Sequence, residues 1–189
     1  ELRAELMALG HSFESSGDTE VLLAAYREWG PDCLSRLNGM WAFLIHDVAK
    51  KKIFGSRDRF GVKPLYRYVT NDMVLFGSES KAILESGYYQ PRLNWNVATA
   101  FLLRNRLDVD TQTFYEGIEQ VPAGSAFELF VDGQYRSWSF WSLDDIPTTQ
   151  VQDPVEVFKD LFDDAVRIRM RSDVPVGVCL SGGLDSTSI

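Results

Sequence analysis

The stretch Gly39-Met40-Trp41-Ala42-Phe43-Leu44-Ile45-His46-Asp47 changes the pattern of the chain that precedes it. Upstream, apolar residues recur at helical spacing. Leu2, Leu6 and Leu9 share one face closed by Gly10. Val21, Leu22, Ala25, Tyr26 and Trp29 share another, which Gly30-Pro31 stops. From Met40 to Ile45 the run is apolar without interruption, which predicts a β-strand covered on both faces.

Strand signals continue outward from it. Asp47 to Lys50 is turn-like and leads to a strand over Ile53 to Ser56. The polar, glycine-bearing loop Arg57 to Pro64 precedes a strand over Leu65 to Val69, and Asn71-Asp72 turns the chain into another over Met73 to Phe76. Helices are expected around Ser80 to Leu84 and Val97 to Arg104. Further strands are expected over Ile118 to Val121, Ala126 to Val131 and, after the hairpin signal Asp132-Gly133, Tyr135 to Trp141. On the other side, His11 to Glu14 reads as a short strand, and Ser15-Ser16-Gly17-Asp18 opens the second helix with acids at Asp18 and Glu20. Runs of strands flanked by helices define an α+β architecture.

Ser142 to Asp153 is acidic, aperiodic and carries Pro147, which marks a linker. Beyond it, Val155, Phe158, Leu161, Phe162, Ala165 and Ile168 form an amphipathic helix opened by Pro154 and broken at Asp173-Val174-Pro175. A second unit of α/β type begins here: apolar Val174 to Leu180 reads as a strand, then Ser181-Gly182-Gly183-Leu184-Asp185-Ser186 as a turn into a helix.

Composition narrows the function. The chain has 189 residues, enough for one domain and part of another. Its net charge of −8, with acids spread throughout, disfavours nucleic acid and anionic membrane as partners. No apolar run approaches the length of a membrane span. Cys33 and Cys179 stand far apart without metal-ligand company, which fits a reducing compartment.

The turn at Ser181 to Ser186 has the makings of an anion site. Its glycines permit positive φ and close approach of backbone N–H groups, and the new helix directs its positive end there. Ser181, Ser186 and Thr187 add hydroxyl donors. No lysine follows the glycines, so this is not a Walker-type loop. The same residues also suit a plain strand-to-helix turn with a serine cap.

This loop resembles the pyrophosphate loop of the ATP pyrophosphatase superfamily. Three upstream stretches then single out one family: Gly17-Asp18-Thr19-Glu20-Val21-Leu22, Leu37-Asn38-Gly39-Met40-Trp41-Ala42-Phe43 and Arg57-Asp58-Arg59-Phe60-Gly61-Val62-Lys63-Pro64-Leu65-Tyr66. With Phe76 to Leu84, Val121-Pro122-Ala123-Gly124 and Ser172 to Gly177, they resemble, in order over nearly the whole chain, the glutamine-hydrolysing asparagine synthetases. The resemblance implies an N-terminal-nucleophile αββα sandwich, in part, followed by the first helix, strand and loop of an α/β ATP-pyrophosphatase domain. The implied boundaries are 1–141 for the glutaminase domain, 142–153 for the linker and 154–189 for the start of the synthetase domain.

It implies a reaction too: ammonia from glutamine combines with an aspartate activated by ATP, giving asparagine, glutamate, AMP and pyrophosphate. Asp18 takes the position whose carboxylate holds the α-amino group of glutamine; without the family it is a first-turn helix acid. The family's serine before it is Gly17 here. Cys179 and Leu180 sit where adenine lies, Cys179 being equally suited to a small core position. Ser181, Gly182, Gly183, Leu184, Asp185 and Ser186 take the pyrophosphate end of ATP, with Asp185 a partner of Mg²⁺. Arg57-Asp58, Glu79 with Lys81, His11 and His46 are assigned structural roles. The implied setting is cytoplasmic, with a homodimer of the full-length protein.

The family's nucleophile is an N-terminal cysteine, and position 1 here is Glu1. With the family's remaining ATP and aspartate contacts expected after Ile189, the chain is expected to be truncated at both ends and inactive alone. Alternatives stay open: a paralogue amidating a polysaccharide or secondary-metabolite carboxylate, a β-lactam-synthetase-like enzyme, or a non-catalytic interaction domain.

Overall fold

The computed structural model describes residues 1–107 and 109–189 and divides into two units, Glu1–Asp145 and Ile146–Ile189. Among the described residues the first unit holds two antiparallel sheets. One runs β1 (Ala42–Asp47), β2 (Lys52–Arg57), β6 (Ser125–Phe130), β7 (Tyr135–Ser139); the other runs β4 (Val74–Gly77), β3 (Tyr66–Val69), β5 (Ile118–Gln120).

Register decides which side chains meet, because strand side chains alternate between faces. In the first sheet Ile45 lies opposite Phe54, Phe43 opposite Ser56, Ser56 opposite Ala126 and Ala126 opposite Trp138. That face packs against α1 (Leu2–Ala8), α2 (Asp18–Trp29) and the 3-10 segment Gly30–Arg36, burying Leu6, Ala25, Tyr26, Cys33 and Leu34. Tyr26 stacks on Phe54 at 5.0 Å. The same face carries a buried ion pair, Lys52 donating to Glu128.

The opposite face meets the second sheet. Phe127 of β6 stacks on Phe76 of β4 at 5.1 Å, and Leu65 and Val121 complete that layer. Gly55 lies opposite Phe127, and a Cβ there would come within 2.2 Å of its ring. On the far face of the second sheet, Tyr66, Tyr68, Leu75 and Ile118 pack with Ile83 and Leu84 of α3 (Ser80–Leu84), Tyr89 and Tyr115. The order is therefore helices, sheet, sheet, helix, an αββα sandwich. Helix α4 (Trp95–Arg104) is capped by Asn94 and sets Phe101 edge-on to Phe114.

The loop between β2 and β3 is organised by two buried charges. The Asp58 carboxylate accepts from the backbone N–H groups of Phe60 (3.1 Å), Val62 (2.9 Å), Lys63 (2.9 Å) and Trp41 (3.2 Å). The Arg57 guanidinium donates to the carbonyls of Lys63, Gly61 and Val121 and to the Gln120 side chain. Gly61 has φ +63, and a Cβ there would crowd Arg57.

Three sequence expectations change. His11 to Glu14 is not a strand: its donors go elsewhere, His11 N–H to the Leu6 carbonyl and Glu14 N–H to the Glu20 carboxylate. The run at Met40 is a strand only from Ala42, and Leu44 is exposed because β1 is an edge of its sheet. Val174 to Leu180 forms no ladder, and Val174, Val176, Val178 and Leu180 are all exposed. Strand character needs a partner strand, and among the described residues this segment has none.

In the second unit α5 (Pro154–Arg169) starts on Asp153, whose carboxylate accepts from Glu156 N–H at 3.2 Å, with Pro154 as the first helical residue. Its apolar positions Val155, Phe158 and Leu161 are exposed. The short α6 (Leu184–Ser188) follows the glycine turn.

Replacing Asp58 by Ala leaves four backbone donors without their acceptor. Each stranded group costs about 1–3 kcal/mol before relaxation and water entry, so the expected loss of unfolding free energy is about 3–5 kcal/mol. Asp58→Asn, which keeps one oxygen, is expected to lose about half as much. Urea denaturation of both variants checks the order.

Candidate functional site

Asp18 is the first residue of α2, following Gly17 as N-cap with φ −67 and ψ 154. Its carboxylate is exposed and makes no hydrogen bond or ion pair with the described residues. A helix starting on glycine has no side-chain oxygen to cap its first N–H groups.

What holds the turn instead comes from two residues. Glu20, third in the helix, reaches back so that one carboxylate oxygen accepts from Glu14 N–H (2.9 Å) and the other from Ser15 N–H (2.9 Å) and Ser15 Oγ (2.8 Å). From α1, Arg3 donates to the carbonyls of Ser15 (2.8 Å) and Gly17 (2.7 Å). Ser15 Oγ also accepts from Gly17 N–H at 3.3 Å. The Glu14 and Ser15 N–H groups, chiefly, hold the Glu20 carboxyl below the usual range. In the sequence Glu20 reads only as an acid that suits the positive end of the helix. Glu20 is at the third helical position, from which a side chain can turn back on its entry loop, and here it reaches past the Gly17 N-cap to residues 14 and 15.

The remaining candidates separate by environment. Cys33 is fully buried, and burial, with Asp32 adding to it, pushes its thiol up to about 11. It is therefore a poor nucleophile near neutral pH. His11 is held by Glu28 at 2.9 Å, whereas His46 is exposed and unpartnered among the described residues, against the expectation that both are satisfied. Arg57 and Asp58 direct their side chains almost wholly at backbone, as described above. Glu79 and Lys81 are exposed, and their side chains hold no loop among the described residues.

In the second unit, Gly182 has φ +78, the conformation only glycine adopts without strain, and Gly183 caps α6. Ser181 Oγ lies 3.1 Å from Ser186 Oγ, and Ser186 and Thr187 donate to the Gly183 carbonyl. The hydroxyls expected as free donors are engaged within the loop. The side chains of Cys179, Leu180, Leu184 and Asp185 are exposed, Asp185 without a partner among the described residues. No group of three or more His, Cys, Asp or Glu among the described residues is arranged to hold a metal ion, and no helix there is long and apolar enough to cross a membrane.

Residues 1–141 match a family model described as a glutamine amidotransferase domain, and residues 157–189 match one described as asparagine synthase. The chain is 38% identical over 190 residues to asparagine synthetase (glutamine-hydrolyzing) 3 of Bacillus subtilis, covering 100% of this chain and 31% of that protein. It is 40% identical over 179 residues to putative asparagine synthetase (glutamine-hydrolyzing) 2 of Methanocaldococcus jannaschii, covering 93% of this chain and 35% of that protein. The chain thus spans about a third of the length of these curated relatives. A solved structure of glutamine phosphoribosylpyrophosphate amidotransferase from B. subtilis, complexed with ADP and GMP, superposes with a TM-score of 0.52. It is 22% identical and covers 74% of this chain and 26% of that one, a likeness of fold alone.

A carboxyl held low in the folded state stabilises above its unfolded value and ceases to do so as pH falls through its folded value. Glu20 is therefore expected to steepen the fall in melting temperature below about pH 4. Glu20→Gln should flatten that limb and leave the profile above about pH 6 parallel to the parent, as thermal melts across the range would show.

Proposed function

The chain belongs to the glutamine amidotransferase domain family through residues 1–141, and on that premise we propose that it serves a glutamine-hydrolysing asparagine synthetase. One observation carries the reading. A glutamine amidotransferase match and an asparagine synthase match follow each other on one chain. Relatives of that description are similar across its whole length. The proposed chemistry is transfer of ammonia from glutamine to an aspartate activated by ATP, with AMP and pyrophosphate released, in the cytoplasm.

In this reading Asp18 receives the α-ammonium of glutamine. An exposed carboxylate with no competing partner suits that task, since binding breaks no internal bond and gains a charge-assisted one. Ser181 to Ser186 would face the pyrophosphate of ATP, with the Gly182 turn and the α6 N–H groups toward its oxygens and Cys179 and Leu180 along the adenine. Their hydroxyls would have to give up bonds to one another to bind it. For Mg²⁺ the donor set fits a metal carried largely by phosphate and water: one free carboxylate, Asp185, and no all-protein cage among the described residues. Bound there, the metal would supply neutralisation of phosphate charge. Cys33 is not proposed as the glutaminase nucleophile, for the reasons of burial and thiol basicity given above.

The test uses a protein that carries these residues at the length of the curated relatives. Glutamine, aspartate and ATP should together yield asparagine and pyrophosphate; pyrophosphate release indifferent to aspartate would overturn the choice of acceptor. Asp18→Asn keeps an acceptor oxygen but removes the negative charge that makes the bond to the ammonium charge-assisted, a bond worth about 1.5–3 kcal/mol. It should raise KM for glutamine about 10- to 150-fold while ammonia-supported synthesis is unchanged. Gly182→Val, strained at positive φ, should do the reverse, abolishing ATP-dependent pyrophosphate release and sparing glutamine hydrolysis.

A further inference from the structure

We propose that Arg3 and Glu20 are positioning residues for glutamine: they set the turn 14–17 from opposite sides and thereby fix where the Asp18 carboxylate stands. The proposal rests on the reading of Asp18 as the ammonium-binding group.

The turn has little else to hold it. Glu14, Ser15, Ser16 and Gly17 are all exposed, and none contributes to an apolar cluster. Just before them Phe13 packs against the core with Arg3 over its ring at 4.6 Å, and just after them α2 is anchored from Val21 onward. Asp18 falls in the gap between these anchors, on the first turn of a helix whose N-cap has no side chain. Such a turn frays unless its groups are bonded from outside.

The bonds that are present fill that need from two helices, α2 through Glu20 and α1 through Arg3. Glu20 takes the N–H groups on the entry side of the turn, at residues 14 and 15, each by its own oxygen. Arg3 takes the carbonyls on the exit side, at residues 15 and 17, each by its own terminal nitrogen. Ser15 is gripped from both sides, through its N–H and hydroxyl by Glu20 and through its carbonyl by Arg3. The Gly17 carbonyl held by Arg3 belongs to the peptide that leads into Asp18, so the clamp ends one bond from the residue it orients. Both clamping groups are charged, and charge-assisted bonds are the stronger kind. The carboxyl is also held low enough to stay ionised at physiological pH.

A clamp of this kind acts on ground-state binding and not on the chemical step, so it predicts a split in kinetic parameters. In a protein of the relatives' full length, Glu20→Ala and Arg3→Met are each expected to raise KM for glutamine at least 5-fold. kcat at saturating glutamine and ammonia-supported synthesis should stay within 2-fold of the parent. Glu20→Gln and Arg3→Lys, which keep part of the bonding, should fall between. Because the clamp works through Asp18, adding Glu20→Ala to Asp18→Asn should change KM no further. Unchanged KM in both single variants, with only melting temperature lowered, would overturn the clamp while leaving Asp18 in its role. Additive effects in the double variant would overturn it as well. An Asp18→Asn enzyme with parental KM would overturn the reading of Asp18 and the clamp with it. Parental kcat at saturating glutamine shows that the domain carrying the substitution is folded.

Discussion

The carboxylate of Asp58 is the constraint on which the sandwich depends. Four backbone N–H groups converge on it, three from the loop that follows and one from Trp41 at the entry to β1. Its own backbone extends the reach. The Asp58 N–H donates to the Trp41 carbonyl, and the Asp58 carbonyl accepts from Gly124 in the turn before β6. One residue thus ties the start of β1, the end of β2 and the approach to β6, three neighbouring strands of one sheet. Arg57 adds the second sheet by binding Gln120 at the end of β5 and Val121 just after it. Buried charge of this kind is costly unless every lone pair and N–H is used. Here the convergence of backbone donors supplies that compensation, and no buried side-chain polar atom among the described residues is left unpaired.

The Asp18 turn is built on the opposite plan. Its bonds are polar and exposed, laid over a helix whose apolar face is fixed to the first sheet by Ala25 and Tyr26. Core packing places the helix axis, and the clamp places its first turn. The division would suit the proposed role of Asp18: the carboxylate stays free in water while its backbone is restrained. A fully buried carboxylate would already be committed to internal donors, as Asp58 is.

Much of the sandwich was legible in the sequence because apolar runs and turn signals fall where the strands are. Asp132-Gly133 made the hairpin it predicts, with Gly133 at φ +87. The face assignment was harder. Continuous apolar character at Met40 to Ile45 says that a strand is buried but not that it is a sheet edge, and Leu44 is exposed for that reason. The polar scaffolding was least legible. Nothing local marks Asp58 as an acceptor for residue 41, and Arg3 meets Ser15 and Gly17 only after two helices have packed together. Glu20 alone left a local trace, in its spacing from the helix start.

The segment Val174 to Leu180 shows where local reading reaches its limit. Its valines have the β-branched character of a strand, yet each stands exposed and unladdered. Strand propensity measures how well a side chain fits a pleated, half-buried surface, and that surface exists only when neighbouring strands supply it. The glycine turn beside it has no such dependence. Gly182 adopts positive φ and Gly183 opens α6 through bonds that close within a few residues, so the loop takes its shape without the sheet. In this chain, then, features whose partners lie within one turn are encoded locally. Those whose partners lie across a sheet become definite only when the partner is present.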